Sequence, residues 1–230
     1  MKNRQFILLI ILLAVVFALT AVVMKFYTPK DKSTDTQELQ SLRERQEIQI
    51  LLGQAYFLMS NGDYVYAENT LNRLFEKSPN NILALQMQGQ IYFNTARYAE
   101  AENTFRKLIS INPENASNYN NLGQALAAKN DLKNAIVYLK RAIEIAPEVV
   151  MPYFNLAELY LRIGDKKAAI ESLRIAFEVA LKNRTLILNL SAFSALESEA
   201  EYRSLIAELL EKQLKLPAEK IVEDSKNEQN

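Results

Sequence analysis

The side chains that most often carry out chemistry are the ones this chain lacks. Its 230 residues include no Cys and no His, so the common nucleophile–base pairs and zinc sites cannot be assembled. Disulfides are excluded for the same reason, and no Gly-rich phosphate loop occurs. Asp and Glu number 27, but they fall mostly on solvent positions of helical segments, where a solvated face accounts for them better than an acid–base pair. The expectation is therefore no catalysis, no metal and no cofactor. Lys and Arg also number 27, without a clustered stripe that could displace counterions from a phosphate backbone, so no nucleic-acid partner is expected. What remains is recognition, for which the many Asn and Gln amides, each both donor and acceptor, are suited.

The elements that would position such groups are helices. Gly and Pro total eleven, and Ala, Leu, Glu and Lys favour helix. A fixed period settles their arrangement: Ala67, Ala101, Ala135 and Ala169 lie 34 residues apart, as do Pro79, Pro113 and Pro147, with Leu181 where a fourth proline would fall. Ala55, Gly89, Gly123 and Ala157 form a small column; Leu71, Phe105, Leu139 and Leu173 form a large apolar one; Leu58, Tyr92, Leu126 and Tyr160 form another. Small residues let two antiparallel helices approach closely, and the large column is expected to plug the gap to the following repeat. Each Pro, lacking an amide proton, stops the second helix. The intra-repeat turns are read at Asn61-Gly62-Asp63, Lys129-Asn130-Asp131 and Gly164-Asp165, with Asp capping the next helix.

These columns, with YNNLGQAL and DLKNAIVYLKRAIEIAP as their best instance, resemble the tetratricopeptide repeat over Ile48 to Asn183. Four full repeats are expected at 48–81, 82–115, 116–149 and 150–183. The resemblance implies a groove lined by the first helix of each repeat that holds a protein or peptide partner. Mapped by repeat position, it would show Gln86, Gln90, Phe93 and Asn94, then Asn120, Asn121, Gln124 and Ala127, then Phe154, Asn155, Glu158, Leu161 and Arg162. Asn121 and Asn155 occupy the place where some family members form an asparagine ladder. The carboxylate clamp of chaperone-binding relatives is not matched: its best window reads Gln86 and Gln90, Asn121, then Met151 and Asn155, without its three cations.

Ahead of the repeats, Phe6 to Met24 is uncharged, and at ~1.5 Å per residue a helix of that length covers ~28 Å, about a bilayer core. It exceeds a typical signal-peptide core and lacks a clean cleavage site, so an uncleaved transmembrane anchor over 6–27 is expected behind a tail of residues 1–5. Charges flanking it are nearly balanced; a cytoplasmic N-tail would place the repeats in the periplasm of a bacterium, anchored in the inner membrane, with a cytosol-facing receptor as the alternative. Residues 28–35 read as a linker and 36–47 as a leading helical extension, whose Leu39 and Leu42 could serve self-association into a homo-oligomer, as could the C-terminal helix. After Asn183, Leu186, Ile187, Leu190 and Phe193 suggest a degenerate fifth unit over 184–216. There a Ser198–Glu201 capping box opens a helix carrying Tyr202, Leu205, Leu209 and Leu210 that covers the last repeat; Pro217 ends it and 217–230 read as disordered. The predicted architecture is an all-α helix-turn-helix solenoid of four full repeats plus a degenerate fifth, or capping, unit behind an N-terminal transmembrane helix.

Overall fold

The computed structural model describes the backbone of residues 32–183 and 190–214, and the side chains of 37–183 and 190–212. The anchor and tail read over 1–27, the tail 217–230, and Leu186 and Ile187 lie outside the described residues. Among the described residues no helix is long and apolar enough to cross a membrane.

The chain divides into two units, Met1–Leu51 and Leu52–Asn230. The described part of the first is all helix, belonging to α1, Lys32–Ser60; residues 32–35, expected as linker, are helical. Leu39 and Leu42 are 50% and 47% exposed on it.

In the second unit the end of α1 and α2 (Tyr64–Lys77) are followed by helices that pack in pairs: α3 (Ile82–Asn94) with α4 (Tyr98–Ile111), α5 (Ala116–Ala128) with α6 (Leu132–Ile145), and α7 (Met151–Arg162) with α8 (Lys166–Lys182). A 3-10 turn, Ser191–Leu196, and α9, Ala200–Leu214, follow. Packing is dominated by consecutive helices, as in a solenoid, where each unit buries its apolar face on the next. The Ala column is fully buried in every repeat. The large column lies under the small residue of its own repeat: a Cβ added to Gly89 would stand 2.6 Å from Phe105 Cε1, and one on Gly123 would stand 2.8 Å from Leu139 Cγ. Phe105 and Leu139 also join a cluster with Leu122 and Leu126, so each large residue serves both its own helix pair and the shared core.

Helix ends follow local chemistry. The helices α2, α4 and α6 stop at cap residues Ser78, Asn112 and Ala146, each directly before a proline of the periodic column. With Leu181 in place of that proline, α8 runs on to Lys182, for 17 residues against 14 in the other three. The turns place Gly62, Ala96, Asn130 and Gly164 at φ of 81°, 58°, 66° and 82°. This left-handed column has the same 34-residue spacing, and Ala96 fills it without glycine's freedom. Asp131 and Asp165 cap as expected, accepting from the amides of Asn134 and Ala168, whereas Asp63 makes no such bond. Two caps not anticipated are Asn81 and Asn115, each two residues past a proline, which accept from the amides of Ala84 and Ser117 at 3.0 Å.

The C-terminal segment is described from residue 190 onward. Its first described element is a 3-10 turn, with Phe193 and Leu196 buried. The helix α9 begins at Ala200, and the Glu199 carbonyl accepts from the Arg203 amide, which makes Glu199 the cap and displaces the Ser198–Glu201 box by one residue. Tyr202, Leu205 and Leu209 pack with Leu173 and Phe177 of the last repeat. Leu210, expected on that face, is 54% exposed.

Candidate functional site

The first helices of repeats two to four present the residues mapped to the groove, because one face of each is left over when the opposite faces are consumed by helix pairing. Along that face the amides are ordered by hydrogen bonds. Asn155 Nδ2 donates to Asn120 Oδ1 at 2.7 Å, and Asn120 Nδ2 donates to Asn121 Oδ1 at 3.3 Å. The two ladder positions are thus joined through Asn120, which is buried. The relay is polarised. Asn155 spends one of its two donors and keeps its Oδ1 as acceptor; Asn121 accepts through Oδ1 and keeps both Nδ2 donors. In repeat two, Gln90 Nε2 donates to Asn94 Oδ1 at 2.9 Å, and Asn94 Nδ2 donates to the Tyr64 hydroxyl at 3.3 Å.

A cavity of about 190 Å³ opens where three successive first helices meet. Phe93 comes from α3, Gln124 and Ala127 from α5, and Asn155, Glu158 and Arg162 from α7, while Gly123, Leu139 and Leu159 form apolar parts of its wall. Phe93 is held edge-on against Tyr98, with ring centroids 5.6 Å apart. Arg162 donates to the Asn130 side chain at 3.4 Å. Glu158, one turn away on the same helix, is exposed and makes no hydrogen bond or ion pair among the described residues.

Of the residues named from sequence, the structure therefore gathers Phe93, Gln124, Ala127, Asn155, Glu158 and Arg162 around one cavity, and Asn120, Asn121 and Asn155 in one relay. Leu161 is half-buried and packs with the C-terminal cluster. Gln86 is half-buried and lines no part of the cavity. Phe154 is turned elsewhere: half-buried, its ring lies 6.0 Å from Phe177 and 6.1 Å from Phe193, so it packs on the C-terminal cluster. One residue the sequence reading passed over is Tyr56. It stands 34 residues before Gln90 in the column that continues to Gln124 and Glu158, and it is exposed; extending the period into the first repeat finds it.

Flanking the groove, the repeats are tied by ion pairs. Arg97 donates to both carboxylate oxygens of Glu68, at 2.7 and 3.1 Å, and lies 4.1 Å over the Tyr92 ring. Hydrogen bonding from Arg97, opposed by partial burial, holds the Glu68 carboxyl below the usual carboxylate range. Glu102 is lowered in the same way, first by Lys129 and then by Arg106.

Comparison with known proteins places this architecture. Family models described as tetratricopeptide repeat match residues 87–150 and 152–183. Among solved structures the chain is similar to MamA, residues 41 to the end, from Desulfovibrio magneticus RS-1, at 22% identity over 59% of this chain and 76% of that one, with a TM-score of 0.55. A MamA double mutant matches at 20% identity over 75% of this chain and 97% of that one, TM-score 0.56. An O-GlcNAc transferase mutant from Thermobaculum terrenum matches at 25% identity and TM-score 0.55, over 61% of this chain but 27% of the transferase. The MamA likenesses speak to fold alone. Comparison with curated proteins gives no match.

Proposed function

Since the chain belongs to the tetratricopeptide-repeat family, we propose that it is a non-catalytic interaction scaffold that holds an extended or helical segment of a partner protein along the first-helix face of repeats two to four. The observation that carries this reading is the polarised relay Asn155–Asn120–Asn121 beside a cavity shared by three repeats. A peptide backbone offers N–H and C=O groups in alternation, and the relay leaves an acceptor at one end and donors at the other. The apolar run Phe6–Met24 supports tethering to a membrane, and with the short N-tail it supports a bacterial inner-membrane protein whose repeats face the periplasm and serve envelope assembly or protein biogenesis.

The test is site-specific crosslinking in native membranes from a photoreactive residue at Asn121 or Gln90, with Val137, exposed on a second helix, as the control. Capture of a discrete partner from the first-helix positions and none from Val137 is the expected result; capture from Val137 alone sinks the reading. Protease accessibility on sealed vesicles decides the side of the membrane. Self-association is the competing reading, favoured by the exposed Leu39 and Leu42. Light scattering on the full chain in nanodiscs removes it if one copy per disc is found at every concentration.

A further inference from the structure

The shared cavity is chemically uneven. Its lining includes the apolar side chains of Phe93, Ala127, Leu139 and Leu159. Its polar lining is Gln124, Asn155, Glu158 and Arg162. Asn155 donates one of its two amide hydrogens to Asn120, and its Oδ1 accepts no hydrogen bond among the described residues. Glu158 carries a full negative charge with no partner among the described residues. The cation that could neutralise it, Arg162, stands one helical turn further on, the spacing at which oppositely charged side chains pair, yet its guanidinium reaches to Asn130 in the preceding repeat.

Building on the groove reading above, we propose that this cavity is the subsite for one basic side chain of the bound segment, arginine or lysine. The volume of about 190 Å³ accommodates a single long side chain. Its methylenes cover the Phe93–Leu139–Leu159 wall, as the stems of Lys and Arg do on apolar surface, and its cation meets Glu158 and Asn155 Oδ1. A neutral side chain leaves the Glu158 charge uncompensated as water is displaced from beside it, and an acidic one adds repulsion. Arg162 is the opposing charge, so its removal should strengthen the preference.

The experiment uses the full chain in nanodiscs, labelled with ¹⁵N-glycine and ¹⁵N-alanine so that Gly123, Ala127 and Ala128 report from the cavity. It is titrated with the Nα-acetyl amides of arginine, lysine, norleucine and glutamate. The basic amides should shift these signals with an affinity about five-fold or more above norleucine, roughly the ratio that one exposed charge contact supports. That advantage should shrink with added salt, vanish in Glu158→Gln and grow in Arg162→Ala. Norleucine amide binding as tightly as the basic amides overturns the basic subsite and leaves the groove reading intact, as does a preference for glutamate. No shift from any amide also overturns the subsite, while the groove reading is judged separately by capture from Asn121.

Discussion

Three glycines inside first helices differ only in what faces them, and this makes the helix pairing testable. A Cβ at Gly53 meets nothing within 4 Å, one at Gly123 meets Leu139 Cγ at 2.8 Å, and one at Gly89 meets Phe105 Cε1 and Cζ at 2.6 and 2.9 Å. Replacing Gly by Ala in a helix interior gains about 0.8–1 kcal/mol of propensity. Gly53→Ala should realise that gain. At Gly89 the Phe105 ring is 1% exposed and has nowhere to swing, so overpacking of roughly 2–3 kcal/mol outweighs propensity, for a net loss of about 1–2 kcal/mol. Gly123→Ala falls between, since the same two columns hold Ala and Leu in repeats one and four, at Ala55 and Leu71 and at Ala157 and Leu173. That same combination supplies a rescue. Phe105→Leu alone should cost roughly 1–2 kcal/mol through the space it leaves, but combined with Gly89→Ala it recreates the Ala–Leu combination, and the double mutant should be more stable than the sum of singles by about 1–2 kcal/mol. Urea unfolding followed by circular dichroism, with midpoints compared at constant slope, reads all five variants. Additive losses, or a Gly89→Ala variant as stable as Gly53→Ala, would refute the proposed contact between the small and large columns.

Three further predictions concern single groups. Ala96 holds φ at 58° in a column otherwise filled by Gly and Asn, so Ala96→Gly should stabilise the array by about 0.5–1 kcal/mol, the left-handed penalty less glycine's entropy; an unchanged urea midpoint counts against the turn. Asn118 is 1% exposed and neither polar atom of its amide has a partner among the described residues. Its column-mate Ala84 is fully buried, so Asn118→Ala should raise stability by roughly 0.5–1.5 kcal/mol, the relieved desolvation less a small cavity, in the same unfolding assay. Because Arg97 holds the Glu68 carboxyl low, the native state binds fewer protons there than the unfolded chain. Its contribution is fully present above the ordinary value of 4.5 and is lost as pH falls below it toward the lowered native value; midpoints of the wild type should therefore fall more steeply on acidification than those of Glu68→Gln, by about 0.5–1 kcal/mol between pH 5 and 3.

The parts of the fold legible in the sequence are those where geometry admits few residues. A close helix crossing accepts only a side chain the size of alanine, so Ala67, Ala101, Ala135 and Ala169 announce it, and a helix that must stop before a tight return is served by Pro79, Pro113 and Pro147. Where several residues satisfy one constraint, the pattern weakens. Ala96 occupies a left-handed position by virtue of the helices on either side, and no local residue type signals it. The groove shows the same limit. Period 34 places Gln124, Asn155 and Glu158 on one face, but which aromatic on that face stays available depends on what lies beyond the last repeat: Phe154 is drawn to Phe177 and Phe193, while Phe93, two repeats from that end, remains at the cavity. Phe57 makes the converse case. It shares a column with Ile91, Ala125 and Leu159, which are 0%, 0% and 3% exposed, yet it is 63% exposed itself, because each of the others has a described repeat before it and Phe57 has none. Periodicity thus fixes which face a residue occupies, whereas burial of that face is a property of the neighbour. The residues free to bind a partner are accordingly found by asking where the stack leaves a face uncovered, which in the interior of the array is the first-helix face carrying the Asn155–Asn120–Asn121 relay.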